Sequence, residues 1–564
     1  MDMKKIDKVK EILRSLDMEE TYNRYVKELP EEAISRLLDE LEKVDRKRLI
    51  EHRRILLEHK KGKALFTLDE IEPLEAKEIT PDLEEIGWNS LKNGEWADAI
   101  LAGGAGTRFF SELGEMSLKS KGLFPITPLG RHSFLEFFLM EILSTGISCG
   151  RLPLCLIMTS SITDEEIGEW IKKEEICGFP KEAVIIFRQE EHPRLDDDGY
   201  LIVLKDGSLS WTGDGHGGIY KALLKKRDGE SVLERITKEG IKYIVIHNVD
   251  NILSRPFEPG RLGFHIKGNY LFTMSCVERT DPDEKIGIAV YLKKENRCGV
   301  IEYSICSPEI MRETGEDGKL LLNAGHINTN LISLSAIRED IPPTLYTGKP
   351  LRIEERTVMS SSLEFLNQSL VQMLPKERVG VCMVRREEFF SPTKSVRGRD
   401  SVDDTRKNLS EYFSRILKNC GAGIEDGAVI EINPCCGLNE KELMKIGIGR
   451  NWFIGRGSSL YLCARFGPSD SKPFNTGFTL DAGASFILKV RKPFGNPEYT
   501  KERFIKPDHG TAGRVKIGRN VKVSNGVRVE IEIEDDGILE VPDGFNFSIS
   551  SVIKVGRGER KVLG

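Results

Sequence analysis

The sequence predicts an α/β protein with a helical N-terminal region, a core of alternating strands and helices, and a β-rich C-terminal domain. Three observations carry this expectation. Ile34, Leu37, Leu38 and Leu41 recur at the spacing of one helical face. From Trp96, apolar runs alternate with amphipathic stretches, the pattern of a mostly parallel sheet covered on both faces. Toward the C-terminus glycine becomes dense, and Val515, Val521 and Val527 repeat every six residues, as do Ile517, Val523 and Val529. That period suits the coils of a β-helix, with a plain β-meander as the alternative.

The expected divisions are a helical region over 1–95, a catalytic domain over 96–415 and a β-rich domain over 416–564. Pro30 before Glu31 and Glu32 marks a helix start. Residues 97–102, 154–159, 183–188 and 243–249 read as buried strands. Phe134–Leu143 and Thr163–Lys173 read as helices between them, the second carrying Asp164, Glu165 and Glu166 in its first turn, where negative charge suits the helix dipole. Residues 286–293 and 298–304 are expected to form a hairpin across Glu295, Asn296 and Arg297.

Composition narrows the class. The chain has 564 residues, 30% of them charged, with a formal net charge of −6. Nothing in that balance suits a general nucleic-acid binder, so an anionic ligand would have to meet a local site. The 11 cysteines show no paired metal-ligand spacing. Cys435 and Cys436 are adjacent, and Cys149, Cys155, Cys276 and Cys382 sit in or near apolar runs, so reduced, cytoplasmic thiols are expected. No signal peptide or membrane span is visible.

The most informative segment is Leu101, Ala102, Gly103, Gly104, Ala105, Gly106, Thr107 and Arg108, directly after a buried strand. Its glycines let the backbone turn tightly and approach a ligand. Successive N–H groups can then converge on phosphate oxygens, and Arg108 adds a planar cation. Lys119 and Lys121 follow, with Gly122 beside the second. A dinucleotide loop would need a third glycine where Phe109 stands, and a Walker A loop would need a following G-K-[ST]. A bland strand-to-helix turn is the alternative to a phosphate site.

The run L-A-G-G-x-G-T-R followed by K-G resembles the signature of nucleotide-sugar pyrophosphorylases, and most of all the eukaryotic-type UDP-N-acetylglucosamine pyrophosphorylases among the UTP:sugar-1-phosphate uridylyltransferases. Other segments agree in the family's order over roughly residues 85–395. They include Gly87-Trp88, Met158-Thr159-Ser160, Phe187-Arg188-Gln189, Asp214-Gly215-His216-Gly217-Gly218, Val249-Asp250-Asn251, Ile301-Glu302-Tyr303-Ser304, Asn323-Ala324-Gly325 and Phe390-Ser391-Pro392-Thr393-Lys394.

The resemblance implies a Rossmann-like, GT-A-like nucleotidyltransferase core that joins UTP to a sugar 1-phosphate and releases pyrophosphate. It implies that Leu101, Ala102, Gly103, Gly104, Gly106 and Thr107 cradle the UTP phosphates, and that Gln189 and Gly215 meet the uracil. Arg108, Lys121 and Lys394 would neutralise the reacting phosphates, and Asp250 would hold Mg²⁺. His216, Glu302 and Asn323 would read the sugar.

This chain departs from the family pattern in three places. Ser120 stands where proline usually precedes the Lys-Gly pair, and Phe109–Ser120 differs from the usual start. His216 stands where the N-acetylglucosamine enzymes carry Asn, whereas UDP-glucose and broad-specificity enzymes carry G-H-G. His326-Ile327-Asn328-Thr329-Asn330 is likewise similar to the glucose enzymes' N-T-N run. N-acetylglucosamine 1-phosphate is slightly preferred as the expected substrate over glucose or galactose 1-phosphate. Outside this class, the rivals are an inactive UDP-sugar sensor and a nicotinamide-dependent dehydrogenase, the second disfavoured by the failed glycine fingerprint.

Overall fold

The computed structural model describes residues 3–60, 67, 69–104, 106–114, 118–303, 306–353, 356–465 and 477–564. The chain opens with helices α1 (Met3–Ser15), α2 (Glu31–Glu42) and α3 (Arg46–His59). The apolar stripe of α2, Ile34, Leu37, Leu38 and Leu41, is buried as its spacing predicts. It packs in one cluster with Val9 and Leu13 of α1, with Leu49 and Leu56 of α3, and with Leu195, Leu201, Val203 and Leu209 from a distant excursion of the chain. Not all of 1–95 is helical. Ile71–Pro73 pairs with Val290–Leu292, and β1 (Lys77–Glu78) adds to the central sheet before α4 (Leu83–Lys92).

The central sheet continues through β2 (Trp96–Leu101), β3 (Leu154–Thr159), β4 (Val184–Arg188), β5 (Tyr243–Asn248), β6 (Phe272–Glu278), β7 (Ala324–Ser333) and β8 (Val379–Met383). Its spatial order is β1-β8-β6-β7-β5-β2-β3-β4. Every neighbouring pair is parallel except those made by β7, which runs against both β5 and β6. Helices α5 (Thr107–Leu113), α6 (Phe134–Cys149), α7 (Asp164–Lys173) and α8 (Pro259–Lys267) join these strands. All of β2 and β3 is buried, which is why both read as unbroken apolar runs rather than alternating ones. The exception in β2 is Asp98, fully buried and paired with His247 of β5 at 3.1 Å.

Most expected elements stand within a residue or two. The α6 helix runs six residues past Leu143, to Cys149. The hairpin pairs Gly287–Leu292 with Arg297–Ile301, so Arg297 belongs to the second strand, opposite Leu292, and not to the turn. Asn296 takes the left-handed conformation there, at φ +54°.

Beyond α9 (Val402–Asn419), parallel strands stack in three faces. The six-residue period steps from face to face. Val515 and Ile517 lie on one, Val521 and Val523 on the next, and Val529 begins the third, all buried. This is a parallel β-helix, and the meander is excluded because every strand of its three sheets pairs in parallel. It is fastened to the core by buried polar contacts. Glu431 accepts from the amides of Leu129 and Gly130 at 2.7 and 2.8 Å. Arg503 donates to the carbonyls of Gly94, Leu152 and Glu239. No helix among the described residues is long and apolar enough to cross a membrane.

Candidate active site

The parallel strands β2, β3, β4 and β5 all end at one edge of the sheet, and a cavity of about 530 Å³ opens there. Placing a ligand at the carboxyl ends of strands is the general behaviour of open α/β sheets. Leu101, Gly103, Gly104 and Gly106 line the cavity after β2, Gln189 lines it just after β4, and Asn248, Val249 and Asp250 line it at the end of β5.

The glycine turn has a physical reason at two positions. Gly106 sits at φ +56° as the N-cap of α5. A Cβ on Gly103 would lie 3.2 Å from both Gln189 Nε2 and the Thr159 carbonyl oxygen, so the turn packs closely on β3 and β4. Ala102 anchors it, its amide donating to Met158 at 2.8 Å and its carbonyl accepting from the Thr163 hydroxyl at 3.1 Å. Thr107 and Arg108 lie in the first turn of α5, with side chains outside the described set.

The segment leading to Lys121 is held by α7. Glu166 accepts from the Lys119 amide at 3.1 Å and from the Ser120 amide at 2.7 Å. Ser120 is buried and caps the following turn by accepting from the Gly122 amide. Lys121 is thereby delivered to the cavity. Its Nζ donates to Asp250 Oδ2 at 3.2 Å and to the Thr393 carbonyl at 3.0 Å. Lys394 reaches the same carboxylate, its Nζ 3.5 Å from Oδ2, with a side chain 53% exposed. Burial pushes the Asp250 carboxyl up, but Lys394 and Lys121 outweigh it and hold the group below its ordinary value. The second oxygen, Oδ1, is buried with no hydrogen-bond partner among the described residues.

Gln189 extends between two glycines. A Cβ on Gly213 would come within 2.2 Å of its Nε2. Its amide has no side-chain partner among the described residues and faces the cavity it lines. Gly215 lies at φ +80°, where a Cβ would also meet the Phe365 carbonyl at 2.6 Å. Next to it, His216 Nδ1 accepts from the Asn367 amide at 3.1 Å. Burial lowers His216 to about 4, so it is neutral with Nε2–H free to donate.

The expected site residues therefore converge in large part. Leu101, Gly103, Gly104, Gly106, Lys121, Gln189, Gly215, His216 and Asp250 line one cavity, with Lys394 at its rim. Glu302 and Asn323 are not among its lining residues. Glu302 follows the hairpin strand Arg297–Ile301, near Tyr346, and Asn323 precedes β7, its carbonyl accepting from the Arg279 amide at 2.8 Å. Sequence reasoning missed Arg194, Trp211 and Glu364, which also line the cavity. It read Glu166 only as a helix-dipole charge. No local signal marks any of the four, because their roles come from contacts far along the chain.

Residues 49–397 match the profile of the family described as UTP–glucose-1-phosphate uridylyltransferase. The match spans more than half of the chain, which belongs to this family and is a nucleotidyltransferase enzyme. The UDP-N-acetylglucosamine pyrophosphorylase of Saccharomyces cerevisiae is 26% identical over 370 residues, covering 62% of this chain and 75% of that protein. UDP-N-acetylglucosamine diphosphorylase 2 of Arabidopsis thaliana is 24% identical over 392 residues, covering 65% and 76%. Among solved structures, the uridine diphosphate N-acetylglucosamine pyrophosphorylase of Trypanosoma brucei superposes with a TM-score of 0.65 at 21% identity, over 79% of this chain and 95% of that one. The UDP-glucose phosphorylase of the same organism superposes at 0.52 and 17% identity, over 93% and 100%. These likenesses establish the fold.

Proposed function

We propose that the cavity binds UTP and a sugar 1-phosphate and transfers the uridylyl group between them, giving a UDP-sugar and pyrophosphate. The observation that carries this reading is the convergence of Lys121, Lys394 and Asp250 at a strand end, facing a glycine turn on the neighbouring strand. Two highly charged anions must meet there, and concentrated local cations answer that need in a chain of net charge −6.

An oxygen of the sugar 1-phosphate attacks the α-phosphorus of UTP in line, and the bond to pyrophosphate breaks on the opposite side. The attacking oxygen is already ionised at neutral pH, so no general base is needed. Catalysis is then positioning plus charge neutralisation. Lys121 and the backbone amides after β2 hold the triphosphate, Arg108 adds charge, and Lys394 meets the transferring phosphoryl group. Gln189 reads the uracil edge with an amide that both donates and accepts, and Gly215 lets backbone approach the base.

Asp250 suits a magnesium ion because its buried Oδ1 lacks a partner among the described residues and a carboxylate is a hard oxygen ligand. Mg²⁺, completed by water and phosphate oxygens, would supply further neutralisation of the phosphates. The eleven free thiols, ten of them buried, support a cytoplasmic setting.

N-acetylglucosamine 1-phosphate is the preferred sugar, supported by the names of the relatives. His216 keeps a second reading, glucose or galactose 1-phosphate, because its neutral Nε2–H can donate to a 2-hydroxyl as readily as to an acetamido carbonyl. Pyrophosphate release from UTP with a panel of these sugar phosphates tests the function and the sugar together. Release with none of them would overturn the uridylyltransferase reading and leave a UDP-sugar sensor.

A further inference from the structure

The uracil-facing wall of the cavity is built on the loop Gly213–His216, and its buried support comes from outside the α/β core. Asp214 is fully buried. Its amide donates to the Glu190 carbonyl at 3.0 Å, and its carbonyl accepts from the Phe365 amide at 2.6 Å. Its carboxylate accepts from Arg48 Nη1 at 2.7 Å. Arg48 belongs to α3, 166 residues earlier in the chain. The same guanidinium donates through Nη2 to the Leu363 carbonyl at 3.0 Å, approaches His192 Nδ1 at 3.0 Å, and stacks over Phe365 at 4.8 Å. One N-terminal arginine thus ties the loop carrying Gly215 and His216 to the strand carrying Glu364.

A second strut runs alongside it. Trp211, which lines the cavity, donates its indole N–H to Glu40 Oε2 of α2 at 2.5 Å. Both contacts join the cluster in which α1, α2 and α3 pack on Leu195, Leu201, Val203 and Leu209.

We propose that Arg48 and Glu40 are positioning residues for the nucleotide: the N-terminal helices hold Asp214 and Trp211, and through them the base-reading wall. The inference rests on the uridylyltransferase reading above. A buried arginine that meets a carboxylate, a carbonyl and a ring together has a planar fork that lysine cannot reproduce. Removing it takes from the buried Asp214 carboxylate its close cation at 2.7 Å and leaves His192 Nδ1 at 3.9 Å, a loss that a shift of the loop would relieve. Burial raises the Asp214 carboxyl, and His192 and Arg48 more than reverse that, so the group is ionised and depends on them.

The test compares Arg48→Met, Arg48→Lys and Glu40→Ala with the wild-type chain, by steady-state kinetics and by the rise in melting temperature that UTP produces. Arg48→Met is expected to raise KM for UTP by about tenfold or more, with kcat and KM for the sugar 1-phosphate changed by less than about threefold. It should also shrink the UTP-induced rise, with Arg48→Lys intermediate. Glu40→Ala, at a partly exposed contact, should raise KM for UTP by about threefold. If Arg48→Met does not fold, the other two variants decide. A lower melting temperature with an unchanged KM for UTP in Arg48→Lys and Glu40→Ala would show a merely structural brace and overturn the proposal. The melting shift needs no turnover. A wild-type chain that binds UTP but releases no pyrophosphate sinks the reaction and still tests the positioning role, whereas one that binds no UTP overturns both.

Discussion

Lys121 and Lys394 meet on a single oxygen: both Nζ atoms point at Oδ2 of Asp250, at 3.2 and 3.5 Å, from segments 273 residues apart. The arrangement divides the work between them. Lys121 is largely buried and also bonded to the Thr393 carbonyl, so its position is fixed. Lys394 is half exposed, and in the proposed reaction it would swing from Asp250 to an arriving phosphate.

Lys394→Ala is therefore expected to cut turnover by about 10²-fold or more, the scale of removing one donor to transition-state charge. Its KM for UTP should change little, because Lys121 and the backbone amides remain. Steady-state pyrophosphate release measures both. Near-normal turnover would remove Lys394 from the mechanism.

Asp250→Asn keeps the shape of the side chain and removes its charge. Chelation of divalent ions should abolish wild-type activity and added Mg²⁺ should restore it, whereas Asp250→Asn should need a Mg²⁺ concentration about tenfold higher or fail to recover. A Mg²⁺ titration of rate gives the result, and an unchanged half-saturating concentration would separate Asp250 from the metal.

Gly213→Ala would place a methyl 2.2 Å from Gln189 Nε2, so the amide must move. The expected outcome is a KM for UTP raised by about tenfold and weaker discrimination against CTP, with little loss of thermal stability because Gln189 is only half buried. Competition between UTP and CTP reads this directly. Unchanged discrimination would mean that Gln189 does not read the base.

Burial lowers His216 and His326 to about 4, and His52 and His265 to about 3. Their folded values lie below the unfolded value near 6.5. The stability they contribute is complete above that value and is lost as pH falls toward 4, because the unfolded chain takes up protons that the folded chain refuses. His132 and His247, held up by Glu136 and Asp98 against their burial, act in the opposite direction. Burial lowers His192 as well, while Glu141, pushed by burial up to about 7, opposes them; with the depressed histidines dominating, melting temperature should drop by roughly 5 °C or more between pH 7.5 and 5. A flat profile over that range would contradict the burial of these rings.

Much of this was legible in the residues. The apolar runs located the buried strands because parallel strands covered on both faces cannot alternate. The six-residue period located the β-helix because each step turns the chain onto the next face. The glycine turn after β2, the Lys-Gly pair and the Val-Asp-Asn strand end marked the cavity, each a short local pattern with its own backbone or charge requirement. Where reading failed, it failed at long range. Glu166 looked like a helix-dipole charge until it was found accepting the amides that deliver Lys121. The buried stripe of α2 was legible in its spacing, but its packing partner, the 195–209 excursion, was not.

By itself, then, the sequence determined the class of fold and the place of the strand-end hollow, because periodicity and backbone demands are local and leave a local trace; Gln189, Gly215 and His216 were legible only through the family resemblance. Only the tertiary structure decided that Arg48 bonds Asp214 in the loop 213–216 and that two lysines share one carboxylate oxygen. Those pairings depend on which distant segments the packed core brings within 3 or 4 Å, and no spacing along the chain encodes that distance.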